Sequence, residues 1–112
     1  MPCCHDFGII REFHPDSGEY EEYAPERYGC VSVDDDLLQG VFDRLQDLDT
    51  FWHRGSRPAK GFARYGITLV PPASLPALLA ELRREGCPEF LPLAEKVREA
   101  IRQGKYMIHY GV

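Results

Sequence analysis

The sequence lacks the long apolar runs that membrane proteins need, because none of its hydrophobic stretches approaches the roughly 18 residues that span a bilayer. Its first residues contain neither a basic segment nor an apolar stretch followed by a small-residue cleavage site. No segment is repeated and none is of low complexity. We therefore expect a cytoplasmic protein with no contact with membranes.

Cysteine is scarce: the sequence contains only Cys3, Cys4, Cys30 and Cys87, without the density or spacing of a disulfide framework. We expect reduced thiols. Cys3 and Cys4 stand next to His5, but adjacent residues do not easily occupy neighbouring vertices of a tetrahedral zinc site. Zinc binding would also require His109, which would come into reach only if the first and last strands were neighbours. We therefore expect no metal site.

The sequence also has none of the short motifs that identify catalytic or nucleotide-binding sites. It contains no GxSxG, HExxH, GxGxxG or GxxxxGK[ST] pattern. No catalytic residue and no cofactor are therefore predicted. Four histidines are present as possible general bases, so a site assembled by the fold stays open.

What the sequence does have is an asymmetric distribution of charge. The 112 residues include 18 acidic and 13 basic side chains, and 44% of the residues are hydrophobic, as in one globular domain spanning 1–112. Residues 1–49 contain 13 acids and 3 bases, whereas residues 50–112 contain 5 acids and 10 bases. This pattern argues against nucleic acid as a partner. It favours a surface for a charged partner, pairing between the halves, or self-association into a homo-oligomer.

Hydrophobic periodicity and turn residues predict an α+β fold, with three helices packed on a small mixed or antiparallel sheet of about four strands. The predicted order is β-β-α-β-α-α-β. Strands are expected at 7–13, 28–33, 62–70 and 105–110, and helices begin near Asp34, after an N-cap at Ser74, and near Pro92. The second and third helices are expected to end before Gly86 and Gly104. The apolar stripe of the second helix consists of Leu75, Leu78, Leu79 and Leu82, and the last strand alternates Tyr106, Ile108 and Tyr110 with Met107 and His109. The segment 50–61 has no usable period and is expected to be a long connection.

The run Asp34-Asp35-Asp36 stands where the first helix begins. Carboxylates there accept hydrogen bonds from free backbone N–H groups and complement the positive end of the helix dipole. A hard cation would need several carboxylates converging on one point, which consecutive residues rarely achieve. We therefore expect a helix cap.

One candidate binding segment is acidic and rich in tyrosine. It comprises Tyr20, Glu21, Glu22, Tyr23, Glu26 and Tyr28. Tyrosine is enriched at protein interfaces, and the carboxylates would steer a basic partner. Because the segment has no period of two or 3.6 residues, we expect Tyr20 and Tyr23 to be exposed together. The alternative is a solvated acidic loop.

The second candidate segment is basic. It comprises Trp52, His53, Arg54, Arg57, Lys60 and Arg64. These cations could bind an anionic ligand, or they could pair with the acidic half of the chain. The single tryptophan is expected to anchor the segment to the core.

The last 16 residues, VREAIRQGKYMIHYGV, have the pattern of a helix followed by a strand. In this ending, and in being short, acidic and α+β, the chain resembles small bacterial immunity and inhibitor proteins of the barstar kind. The resemblance implies a non-enzymatic protein whose acidic surface covers a basic toxin or nuclease. The alternative function is a small enzyme or ligand-binding protein that uses the loop 52–64 for an anionic substrate, with His53 as acid and base.

Overall fold

A computed structural model describes residues 3–112, and within that range six strands form one antiparallel sheet with three α-helices packed on it. The strands are β1 (Cys4–Ile10), β2 (Val31–Asp34), β3 (Asp49–Trp52), β4 (Pro58–Lys60), β5 (Ile67–Val70) and β6 (Tyr106–Tyr110). The helices are α1 (Asp35–Arg44), α2 (Leu75–Glu85) and α3 (Leu91–Gln103). Across the sheet the strand order is β2-β1-β6-β5-β3-β4. Along the chain the order is β-β-α-β-β-β-α-α-β, so the α+β prediction is confirmed.

The prediction of a long connection over 50–61 is wrong, because this segment contributes β3 and β4 to the sheet. Phe51 of β3 lies opposite Leu69 of β5 on one side and opposite Pro58 of β4 on the other. These strands are only four and three residues long, too short for an alternating pattern to emerge. β4, which begins with Pro58, is an edge strand of the sheet. An edge strand tolerates a proline because its outer side has no neighbouring strand that needs a hydrogen-bond donor.

The predicted strand over 62–70 is too long at its beginning. Only Ile67–Val70 joins the sheet, and residues 62–66 form a turn in which the Ala63 N–H donates to Thr68 Oγ1 at 2.8 Å. All four residues of β5 are buried, because both faces of the sheet are covered. The first two strands are shifted as well: they occupy Cys4–Ile10 and Val31–Asp34 rather than 7–13 and 28–33.

The core has one part on each face of the sheet. The helices cover the face that carries Phe7, Ile9 and Met107. The opposite face carries Ile10, Ile67, Leu69, Ile108 and Tyr110, and it is covered by residues from the irregular segment between β1 and β2, including Phe13 and Tyr20. The alternation predicted for β6 is therefore confirmed. No helix within residues 3–112 combines the length and apolar composition needed to cross a bilayer.

The three helices begin and end largely as their sequences predict. In α2 the stripe of Leu75, Leu78, Leu79 and Leu82 is buried. Gly86 and Gly104 end α2 and α3 in the left-handed conformation, at φ values of 64° and 65°. Ser74 stands before α2, but its hydroxyl donates to the Asp49 carbonyl at 2.6 Å instead of capping the helix. This bond fastens the start of α2 to β3.

The expectation that Tyr20 is exposed is wrong, because its side chain is completely buried. A short 3-10 turn (Glu19–Glu21) points it inward, where its ring stacks on Phe13 at a centroid distance of 5.8 Å. Its hydroxyl accepts a hydrogen bond from the His14 N–H at 2.8 Å, and burial raises its pKa. This segment crosses the sheet as neither a strand nor an α-helix. Its buried residues therefore do not recur every two or 3.6 positions in the sequence.

Replacing Tyr20 should therefore destabilise the protein far more than replacing its neighbour Tyr23. Tyr20→Ala should lower the free energy of unfolding by about 3–5 kcal/mol, since it removes a buried aromatic ring from the core. Tyr23→Ala, at a ring that is 65% exposed, should cost less than about 1 kcal/mol. Urea denaturation followed by circular dichroism measures both values. Equal losses would show that Tyr20 is not a core residue.

Candidate functional site

Two histidines distant in sequence meet in the core because β1 and β6 are adjacent. Phe7 lies opposite His109 in the register of these strands, which brings His5 and His109 together on the helix-covered face. Both imidazoles are fully buried. The Nδ1 atom of His5 lies 2.7 Å from Nε2 of His109, and Nε2 of His5 lies 2.6 Å from Oδ1 of Asp35 at the start of α1.

The histidine pair belongs to a longer chain of hydrogen bonds. At one end, Arg64 donates to Asp35 Oδ2 at 2.6 Å. At the other end, Nδ1 of His109 lies 3.2 Å from Oγ1 of Thr68. The buried chain thus joins β1, β5, β6, the first turn of α1 and the 62–66 turn. Within residues 3–112 no buried side-chain nitrogen or oxygen is left without a partner.

The partner of His5 fixes the direction of one hydrogen bond in the chain. Ionised Asp35 can only accept, so Nε2 of His5 carries a proton. A neutral His109 has one ring nitrogen that donates and one that accepts, so two arrangements satisfy its neighbours. In one, its Nε2–H donates to Nδ1 of His5 and its Nδ1 accepts from the hydroxyl of Thr68; in the other, both bonds run in the opposite direction. Every ring N–H in the chain faces an acceptor in either arrangement.

Burial and charge shift the pKa values of two members of this chain. Burial, reinforced by the nearby His5, holds the pKa of His109 well below its ordinary value, so its imidazole is neutral at pH 7. The hydrogen bond from His5 lowers the pKa of the Asp35 carboxyl, and Arg64 lowers it further against the opposing effect of burial. The chain therefore combines a neutral imidazole with an ionised carboxylate.

The sequence pattern identified the helix start but not this network. Asp34 caps α1 as expected, since its Oδ1 accepts from the Asp36 N–H at 3.3 Å. Asp35, expected to act with it as a cap, turns inward instead. A usable signal was the position of His5 in phase with Phe7, and of His109 in phase with Met107, on apolar strands. Across residues 3–112 no group of three or more His, Cys, Asp or Glu side chains is placed to hold a metal ion.

The acidic segment is divided between core and surface. Tyr20 is buried and Tyr28 is half-buried, whereas Glu21, Glu22, Tyr23 and Glu26 are exposed. The Tyr23 hydroxyl donates to Asp6 Oδ2 at 2.5 Å, and this bond raises the pKa of Tyr23 to about 12. Its ring meets Tyr110 edge to face at 4.9 Å. The Tyr23 ring is thus exposed but held in one orientation.

Tyr23 shares a groove with a second exposed tyrosine, Tyr65, whose side chain is 75% exposed. The groove has a volume of about 250 Å³, and Glu21 and His53 also line it. The guanidinium of Arg64 lies 5.4 Å from the centre of the Tyr65 ring. We call the exposed side chains of Glu21, Glu22, Tyr23, Glu26 and Tyr65 the acidic tyrosine surface. Tyr65 was not among the predicted binding residues.

The basic segment does not converge on one site. Trp52, Lys60 and Arg64 line a separate cavity of about 420 Å³ between α1 and the β3–β4 hairpin. His53 lies in the tyrosine groove instead, and Arg57 is exposed. Trp52 is half-buried, and its Nε1–H donates to the Gly61 carbonyl at 3.1 Å, so it fastens the hairpin.

Three cations of this segment form ion pairs with the acidic half of the chain, one of the alternatives considered above. Arg54 lies 3.6 Å from Glu21, and Arg64 lies 2.6 Å from Asp35. Lys60 pairs with Asp49. Arg57 takes part in none of the ion pairs described for residues 3–112. Little uncompensated positive charge is therefore left for an anion.

Two of the four free thiols, those of Cys30 and Cys87, have raised pKa values. Burial raises the pKa of the half-buried Cys30 to about 12. Cys87 donates to Glu89 Oε2 at 3.1 Å, which raises its pKa as well. Because the thiolate is the reactive form, the raised pKa values disfavour nucleophilic chemistry at Cys30 and Cys87.

Comparisons with protein-family models, curated proteins and solved structures found no match for this chain. The C-terminal pattern does fold as a helix followed by a strand, in α3 and β6. The relation to barstar-like proteins that this pattern suggested stays a prediction.

The buried His109 should make stability depend on pH. As pH falls below about 6.5, the unfolded chain protonates this histidine whereas the folded protein resists protonation, so stability falls. His109→Gln keeps hydrogen-bonding groups but cannot titrate. Between pH 7.5 and 5.0, where Asp35 stays ionised, the free energy of unfolding of the parent should fall more steeply than that of the variant. The difference should reach up to about 1.4 kcal/mol per pH unit.

The matched control is His14→Gln, at an exposed histidine. This variant should retain the slope of the parent protein in urea denaturation at each pH. Identical slopes for the parent and His109→Gln would contradict a depressed pKa at His109.

Proposed function

We propose that this protein is a non-enzymatic binding protein, an immunity-type inhibitor that works in the cytoplasm. Its partner would be a basic protein, such as a toxin or nuclease, which it would cover with the acidic tyrosine surface. The observation that carries the proposal is the groove between Tyr23 and Tyr65. These are the most exposed aromatic side chains of the chain, and they flank the same groove beside exposed glutamates. Tyrosine is enriched among the hot-spot residues of protein interfaces.

The orientation of Tyr23 supports this function. Its hydroxyl is bound to Asp6 and its ring contacts Tyr110, so binding would cost little of the rotamer entropy that a free side chain loses. Ser32 also donates to Asp6 and holds the acceptor in place. The side chain is therefore preorganised for contact.

The charges of the surface favour a basic partner. Glu21 and Glu22 form ion pairs with Arg54 and Arg27 at 3.6 and 3.8 Å, and all four side chains are exposed. Such pairs are worth only about 0–1 kcal/mol, so a partner's cations can replace them. Glu26 adds a further exposed carboxylate. The formal net charge of -5 would attract a cationic protein, and the three carboxylates would then pair with its cations beside the two tyrosines.

The same geometry gives less support to the enzyme alternative. His5 and His109 are fully buried and cannot touch a substrate. His53 lies outside the cavity that Trp52 and Lys60 line. The histidine expected to act as acid and base is therefore apart from the cations expected to bind an anionic substrate. A binding function needs no such convergence.

The proposal is tested with the purified products of the genes that flank this protein's own gene, because an immunity protein is normally encoded beside its toxin. Biolayer interferometry gives association rates for the parent and for the Glu21→Lys, Glu22→Lys double variant. With the basic product, the parent should associate quickly at low salt and more slowly as ionic strength rises. The double variant should associate at least tenfold more slowly while unfolding at nearly the same urea concentration.

The matched control is Glu89→Lys with Glu95→Lys, which makes the same charge change at exposed positions away from the groove. This control should bind nearly as fast as the parent. Equal rates for both double variants would remove the acidic tyrosine surface as the interface. Binding of the protein only to itself, or to neither flanking product, would contradict the immunity-type function.

A further inference from the structure

The cavity between α1 and the β3–β4 hairpin has aromatic walls. Phe42 and Phe62 stack on each other at a centroid distance of 4.7 Å and an angle of 17°, and Trp52 lines the same space. The two phenylalanines also meet His5 and His109 edge to face at 5.1 Å, so the buried hydrogen-bond chain supports them from behind. With about 420 Å³, the cavity has the size of a small-ligand site, and its aromatic walls lie beside polar and charged side chains.

The cavity lining carries two acids and two bases, which differ in how they are paired. Arg64 is paired with Asp35, and Lys60 is paired with Asp49 outside the cavity lining. Asp43 also lines the cavity and is exposed, and no ion pair within residues 3–112 involves it. Asp43 is therefore the charged side chain of this aromatic lining that lacks an ion-pair partner among residues 3–112.

We propose that this cavity binds a small organic cation with a flat guanidinium group. An aromatic face attracts a cation, and a planar guanidinium can also stack on it. The same group donates two parallel hydrogen bonds to one carboxylate, here that of Asp43. The side-chain amides of Gln39 and Gln46, which also line the cavity, offer oxygen acceptors for the remaining N–H groups. This site is separate from the acidic tyrosine surface and does not depend on the proposed function.

Three probes that share a butyl group separate the effect of charge from that of shape. Butylguanidinium has a flat, cationic head group, butylammonium has a cationic head group that is not flat, and butylurea has a flat head group that is neutral. Trp52 is the only tryptophan in the sequence and lines the cavity, so its indole N–H resonance in a ¹H–¹⁵N spectrum reports binding. Butylguanidinium should shift this resonance saturably, with a dissociation constant on the order of 1–10 mM. The other two probes should bind at least fivefold more weakly.

Asp43→Asn removes the charge and keeps the shape of the side chain. It should weaken butylguanidinium binding about fivefold or more, as expected for one ionic contact near the surface. The matched control, Asp47→Asn, changes a nearby exposed acid that does not line the cavity and should bind like the parent. The proposal is overturned if butylguanidinium gives no saturable shift, if either other probe binds equally well, or if the two variants weaken binding equally.

Discussion

The hydrogen bond between His5 and Asp35 is the contact on which much of this structure depends. It joins the first strand to the first turn of α1 at a fully buried imidazole, where an unpaired polar group would cost several kcal/mol. Through His109 it continues into the last strand and to β5. One polar chain therefore crosses an otherwise apolar core, and it is tolerated because each of its members has a partner.

This chain also positions the surface features. Its outer end is Arg64, and the next residue, Tyr65, flanks the groove of the acidic tyrosine surface. Residues near the C-terminus hold the 62–66 turn in place. The N–H of Gly111 donates to the Gly66 carbonyl at 2.7 Å, and the N–H of Val112 donates to the Arg64 carbonyl at 2.8 Å. A side chain at position 111 would collide with the Arg64 backbone, so glycine is required there. The core network, the groove and the aromatic cavity thus share the 62–66 turn.

Local pattern was sufficient for those parts of the fold that repeat with a regular period. The leucine stripe of α2 and the alternation of β6 were both predicted correctly, because each element is long enough to show which side faces the core. β3 and β4 were missed because three or four residues show no period. Tyr20 was misplaced because it is buried by a segment without regular structure.

The residues of the buried network and of the tyrosine groove are brought together by contacts between segments that are distant in sequence. His5 and His109 are 104 residues apart, and only the adjacency of β1 and β6 brings them together. In the sequence, Asp34 and Asp35 both stand at the start of α1 and are equally suited to cap it. In the structure, the Asp34 side chain caps the helix, whereas the Asp35 side chain points into the core and accepts from His5. Tyr65 had no acidic neighbours in sequence, yet it shares the groove with Tyr23.

His5 and His109 form one buried hydrogen-bonded pair in which His109 is neutral. Long-range ¹H–¹⁵N spectroscopy of the imidazoles tests it directly, through a ¹⁵N–¹⁵N coupling across the bond from Nδ1 of His5 to Nε2 of His109. This coupling should be observed at pH 7.5, and His109 should keep the ¹⁵N shifts of a neutral imidazole when the pH is lowered to 5.5. The absence of the coupling, or titration of His109 with a midpoint near its ordinary pKa of about 6.5, would show that the two histidines do not form this pair.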